Sequence, residues 1–244
     1  MRRRLAAPLL VVALLLTGCT RATPPLQSSV PRSSPVAPSE RSTPSAVGCS
    51  PTTQRMPADA VAARIPDVDG DGRPDTAWAA GASTVTFGVT TASGATVSGS
   101  ASFAGGGRRS FVLGRLANGA VIALPSEGRD SPLWSFADCR LAPVLGRDAL
   151  PGSRSTTPFV VATPDRGGDA TCLRGRLYSV WSVSAGSGRA TVLGRRIDVT
   201  ADGRLAVLSR TTTALARDVR TGSAREQRFA GVSCGSAPVL HPQP

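Results

Sequence analysis

The sequence predicts an all-β fold, a single domain of antiparallel strands arranged as a sandwich or as propeller-like blades. Three observations carry this reading. Val85, Phe87 and Val89 alternate with polar neighbours, the period-two pattern of a strand with one buried face. Short apolar runs recur further along, each bounded by turn-forming residues. Asp202-Gly203 stands between two apolar segments, and Asp-Gly accepts the positive φ of a hairpin turn. Residues 48–244 match the size of one domain and are enough to bury a core.

Along the chain, a short helix is expected around residues 59–64. The alternating run at Val85, Phe87 and Val89 is the first clear strand. Phe111-Val112-Leu113 and residues 120–124 read as strands bounded by glycine, and Phe159-Val160-Val161 repeats the theme. In the last third, residues 177–183 and 204–208 mix apolar residues with arginine and threonine, as long two-faced strands do. Ile197-Asp198-Val199 and residues 205–208 form a hairpin closed by Ala201-Asp202-Gly203-Arg204.

The first eighteen residues differ in kind. Arg2, Arg3 and Arg4 precede an apolar stretch from Leu5 to Leu16. A helix needs roughly 20 apolar residues to span a bilayer, so this stretch is too short, and its basic start fits a secretory signal. Leu16-Thr17-Gly18-Cys19 resembles the lipobox of bacterial lipoproteins. That resemblance implies cleavage before Cys19, diacylation of its thiol and often acylation of the new amino group. Two or three acyl chains anchor stably where one is marginal. Residues 19–47 then form a tether: residues 20–47 hold six prolines and seven serines, without the apolar periodicity a core requires. A flexible chain of that length reaches about 30 Å.

Of five cysteines, Cys19 is assigned to lipid, which leaves Cys49, Cys139, Cys172 and Cys234 for disulfides in an oxidising compartment. Four cysteines allow three pairings, which sequence does not separate; the preferred set is Cys172 with Cys234 and Cys49 with Cys139.

Every basic side chain except His241 is arginine, a pattern that resembles the coding bias of GC-rich, actinobacterial-type genomes. The absence of lysine excludes Schiff-base chemistry. Without residues 1–18, 25 arginines face 16 acids, and from Thr171 onward the net charge is +7. A surface of that sign attracts anions such as envelope polymers or head groups in a salt-dependent way. Nucleic acid is not the expected partner, because no stacking aromatics interleave with the arginines. Trp78, Trp134 and Trp181 read as core anchors. His241, the single histidine, lies among prolines at the end of the chain and offers neither a triad nor a zinc site. Asp165 and Asp169 flank Gly167-Gly168 in a polar turn.

One stretch carries chemistry. Residues 66–78 place aspartates at positions 1, 3, 5 and 9 of a loop, Asp67, Asp69, Asp71 and Asp75, with Gly70 and Gly72 between them. Alternating aspartates and glycines let a tight backbone turn carboxylates toward one point, and calcium takes six to eight oxygens. An EF-hand would need an acid at position 12, where Trp78 stands. The loop is similar to the D-x-[DN]-G-D-G-x-x-D loop of FG-GAP and VCBS repeats, which joins strands of a propeller blade. That resemblance implies Asp67, Asp69, Asp71 and Asp75 as side-chain calcium ligands and Arg73 as a main-chain one. A second repeat would fall near residues 114–121, where the acids are missing, so a complete closed propeller is not expected.

These readings converge on a lipid-anchored, calcium-stabilised domain on the extracytoplasmic face of the cell membrane, with a binding or envelope-structural role and no catalytic one. Its expected partners are an envelope glycan, an anionic polymer or a protein. The alternative is a surface-anchored hydrolase, which needs two carboxylates converging in a cleft.

Overall fold

A computed structural model of the chain describes residues 48–146, 157–161 and 169–243. The signal segment, Cys19, the tether and Asp165 lie outside the described residues. All of the described residues belong to one compact unit.

The fold is all-β and antiparallel in its main sheets, and three of its sheets are built around four-stranded meanders. The first contains β1 (Val61–Ile65), β2 (Asp75–Ala80), β3 (Thr84–Thr90) and β4 (Thr96–Ser102), in that spatial order. The second runs β5 (Ser110–Arg115), β6 (Val121–Ser126), β8 (Trp134–Ala137) and β9 (Arg140–Pro143), with β17 (Val239–Leu240) added on the free edge of β5. The third runs β12 (Asp169–Leu173), β13 (Arg176–Gly186), β14 (Arg189–Val199) and β15 (Leu205–Arg220). Its edges are extended in parallel by β16 (Val232–Cys234) beside β12 and β10 (Leu145–Gly146) beside β15. A small pair, β7 (Ser131–Pro132) and β11 (Val160–Val161), lies apart.

The second sheet is the middle layer. Phe111, Leu113, Val121 and Ala123 join Val85, Phe87 and Val89 of the first sheet in one core. Their neighbours Val112, Ile122 and Leu124 face the other way, into a core shared with Leu177, Ile197 and Cys172 of the third sheet. Every residue of β6 is therefore buried, which explains why residues 120–124 read as a continuous apolar run and not as an alternating one. Phe87 stacks on Phe111 with centroids 5.1 Å apart and meets Trp134 edge-on at 5.3 Å, so aromatic contacts join the first two layers.

Close approach of the layers requires two glycines. A Cβ at Gly99 would lie 2.9 Å from the Trp134 ring, and one at Gly114 would lie 2.5 Å from Cys234 Sγ.

Both disulfides pair as preferred from the sequence. Cys49–Cys139 ties the start of the domain to the turn between β8 and β9, and Cys172–Cys234 joins directly opposed residues of β12 and β16. Native bridges of this kind typically contribute about 2–5 kcal/mol. The hairpin at residues 201–204 also forms, with Gly203 at φ +72°.

The helix expected at residues 59–64 does not form; residues 61–65 are β1. A helix of six residues has little stability of its own to set against strand pairing. Pairing with β2, from Val61 opposite Ala79 to Ile65 opposite Asp75, satisfies the backbone and buries Ile65. The one helix among the described residues is α1 (Ala224–Gln227), capped by Ser223, whose side chain accepts from Glu226 N.

Candidate metal centre

The loop between β1 and β2 holds the acidic residues, and its glycines determine how it closes. Gly70 and Gly72 sit at φ +82° and +79°, conformations open to glycine at no steric cost. Both of their N–H groups then donate to Asp67, at 2.7 Å to Oδ1 and 2.8 Å to Oδ2. Asp71 Oδ1 accepts from Arg73 N at 2.7 Å, and its Oδ2 takes the Arg73 guanidinium through Nε and Nη2.

Asp69 reaches out of the loop. Its Oδ2 accepts from Cys49 N at 2.8 Å and lies 2.8 Å from the Ser93 hydroxyl, so the first residues of the domain and the β3–β4 turn both close on it. The fit is tight: a Cβ at Gly48 would stand 2.7 Å from Asp71 Cβ and 2.9 Å from Asp69 Oδ2. Burial works against ionisation of Asp69, but the Cys49 N–H, the Ser93 hydroxyl, the Asp71 N–H and the Thr91 hydroxyl hold its carboxyl below the ordinary aspartate range.

One carboxylate oxygen from each of Asp67, Asp69 and Asp71 lies within 4.8 Å of the others. This triad is an all-oxygen, anionic donor set, which suits a hard divalent cation such as calcium and not a soft metal. Arg73 meets the triad through its guanidinium, as the counter-ion of Asp71. Its side chain is mostly exposed, 59% against 4% for Asp71, so the arginine can withdraw into water while a cation takes over the charge of the covered Asp71 carboxylate.

Asp75 stands outside the triad. It is fully buried at the start of β2, where Oδ2 accepts from Val68 N at 2.7 Å and Oδ1 from Ala92 N at 2.8 Å. It closes the loop and fastens it to the β3–β4 turn. Burial pushes its carboxyl above the ordinary aspartate value against these two donors, and the charges of Asp69 and Asp67 add to the rise.

The two shifts act oppositely on stability. The contribution of Asp69, whose value is depressed, is present above the ordinary aspartate pKa and is lost as pH falls through its lowered one. That of Asp75, whose value is raised, is complete below the ordinary pKa and is lost as pH rises through its raised one. A cation in the triad would neutralise Asp67 and Asp69 and so ease the ionisation of Asp75.

Comparisons with protein-family models, curated proteins and solved structures return no match for this chain. The geometry therefore stands on its own.

Residues 114–121, where a second repeat was expected to enter, form the end of β5, a turn and the start of β6. There Asn118 Nδ2 donates to Val199 O at 2.8 Å and fastens the middle sheet to the third. Trp78 is buried, whereas Trp134 and Trp181 are half-buried. His241 Nδ1 lies 3.2 Å from Arg109 O. Asp169 begins β12.

Among the described residues, two further groups of acids meet arginines. Glu127, also buried, is joined to Arg109 at 2.9 Å. Asp138 and Asp202 approach the same Arg204, with all three side chains largely exposed. Hydrogen bonds from the Thr200 hydroxyl and Arg204 N hold the Asp202 carboxyl low, the reverse of what a general acid requires.

Asp75→Asn tests the closing role of Asp75. The substitution turns an amide donor toward the N–H of Val68 or Ala92. Urea unfolding in chelator should show a loss of about 1–3 kcal/mol, tempered by relief of the charge repulsion. Unchanged stability would show that these two hydrogen bonds do not hold the loop.

Proposed function

We propose that this chain is a lipid-anchored, calcium-stabilised β-domain of the cell surface, with a binding or envelope-structural role and no catalytic one. The convergence of Asp67, Asp69 and Asp71 within 4.8 Å carries the calcium part of this reading. At an effective dielectric near 20, two unit charges at that separation repel by about 3 kcal/mol before solvent screening. Arg73 offsets only one of the three charges. A divalent cation offsets two, and water and carbonyl oxygens complete the six to eight positions calcium requires.

Export is supported by the basic and apolar leader, by the lipobox-like Leu16-Thr17-Gly18-Cys19 and by the two disulfides, which persist in oxidising compartments. In that setting a weak site suffices, because extracellular calcium modules work at dissociation constants of about 10⁻⁴–10⁻³ M. The position of the loop gives the cation a task. Gly48 and Cys49, where the tether of residues 19–47 enters the domain, pack directly on Asp69 and Asp71. A cation there braces the point at which the domain hangs from the membrane. The arginine-rich last third then supplies attraction for an envelope glycan, an anionic polymer or an acidic protein surface.

Thermal melts of the protein with calcium and with chelator test the metal. Calcium at ten times its dissociation constant adds about 1.4 kcal/mol, a rise of about 3–6 °C for a domain of this size. Asp71→Asn should abolish the difference; equal melting temperatures for the unaltered protein would remove calcium from the account. The anchor is tested separately by cell fractionation. Cys19→Ala should leave the membrane fraction, and its retention there would contradict lipidation at Cys19.

A further inference from the structure

A groove of about 320 Å³ opens where the three main sheets meet, between the end of β1, the end of β5 and the paired strands β12 and β16. Its floor is the Cys172–Cys234 disulfide, which rests on Gly114. Ile65, Val68, Leu113 and Pro238 make its walls, with no aromatic ring among them. The volume lies at the lower end of the range for small-molecule sites, about 300–1,000 Å³.

The charges in the groove are of one sign. Arg64 and Arg115 line it, and no acidic side chain does. Arg115 is held in place by two carbonyls, Nη1 donating to Gly119 O at 3.1 Å and Nη2 to Asp67 O at 2.7 Å, with further N–H donors left over. The Arg64 side chain is exposed and makes no hydrogen bond or ion pair among the described residues, and the same holds for the hydroxyl of Ser236 at the rim. Three donor side chains therefore converge on an aliphatic trough with no acceptor supplied by an acid.

We propose that this groove binds a small amphiphilic carboxylate, with its aliphatic chain on the disulfide floor and its head group between Arg64 and Arg115. A guanidinium matches a carboxylate through paired N–H donors. The walls supply the apolar contact that a bare anion could not use, and the lack of rings disfavours a planar aromatic body. The inference rests on neither the cation nor the lipid anchor, and it stands or fails separately from both.

Isothermal titration of the purified protein with decanoate below its micellar range, alongside decanol and acetate, tests the assignment. Decanoate should saturate a single site, decanol should bind at least ten-fold more weakly, and acetate should give no saturable heat. Arg64→Glu should weaken decanoate at least ten-fold while the melting temperature stays unchanged, since the Arg64 side chain is exposed and makes no hydrogen bond or ion pair in the fold. Ala237→Trp, which narrows the groove from its rim, should weaken decanoate and decanol alike. Absence of decanoate binding, equal binding of decanol, saturable binding of acetate, or full affinity in Arg64→Glu would each overturn the proposal.

Discussion

Strands β5 and β6 have almost no solvent face, and the arrangement of the other sheets follows from that. Phe111, Leu113, Val121 and Ala123 fill one core, and Val112, Ile122 and Leu124 fill the other. A strand buried on both sides cannot slip by one residue without exchanging its two sets of side chains between cores, so its register is strongly fixed. Each large apolar side chain withdrawn from water contributes roughly 1.5–3 kcal/mol. The flanking sheets must come close to gain it, and Gly99 and Gly114 mark where they do. The two disulfides secure the outer pieces. One holds the first residues of the domain against the second sheet, and the other holds β16 against the third.

Within this stack the acidic loop divides its carboxylates by burial. Asp75, deep at the base, is committed to two backbone N–H groups and shapes the loop. Asp67, Asp69 and Asp71, less buried, face one another. Asp69 belongs to both parts, because its hydrogen bonds to Cys49 and Ser93 join the first residues of the domain, the loop and the β3–β4 turn. Arg115 connects the same loop to the groove through the carbonyl of Asp67. The first residues of the domain, the acidic loop and the groove thus lie along a single line of contacts.

Much of this was legible in the sequence. Val85, Phe87 and Val89 gave an unambiguous strand, and the aspartate-glycine spacing located the loop and three residues of the triad. What spacing does not encode is the partner of each carboxyl. Asp75 fits a ligand position by count, and the fold also brings Ala92 N, 17 residues away, onto its oxygen. Residues 59–64 include three alanines, which favour a helix, and strand pairing overrode that preference. The full reach of β15 to Arg220 was signalled by its run of threonines, which suit strands. The helix α1 was signalled by Ser223 three residues before Glu226. The groove left no local trace, since Arg64, Arg115 and Ser236 meet only through the stacking of three sheets.

The claim that the loop is a structural calcium site is tested most directly by amide resonances followed during a calcium titration. The account predicts shifts centred on Gly70, Gly72 and Arg73, extending to Cys49 and Ala92, and complete at one equivalent of bound calcium. Resonances of the loop that stay in place at millimolar calcium, or shifts spread over the arginine-rich third with the loop unaffected, would contradict it.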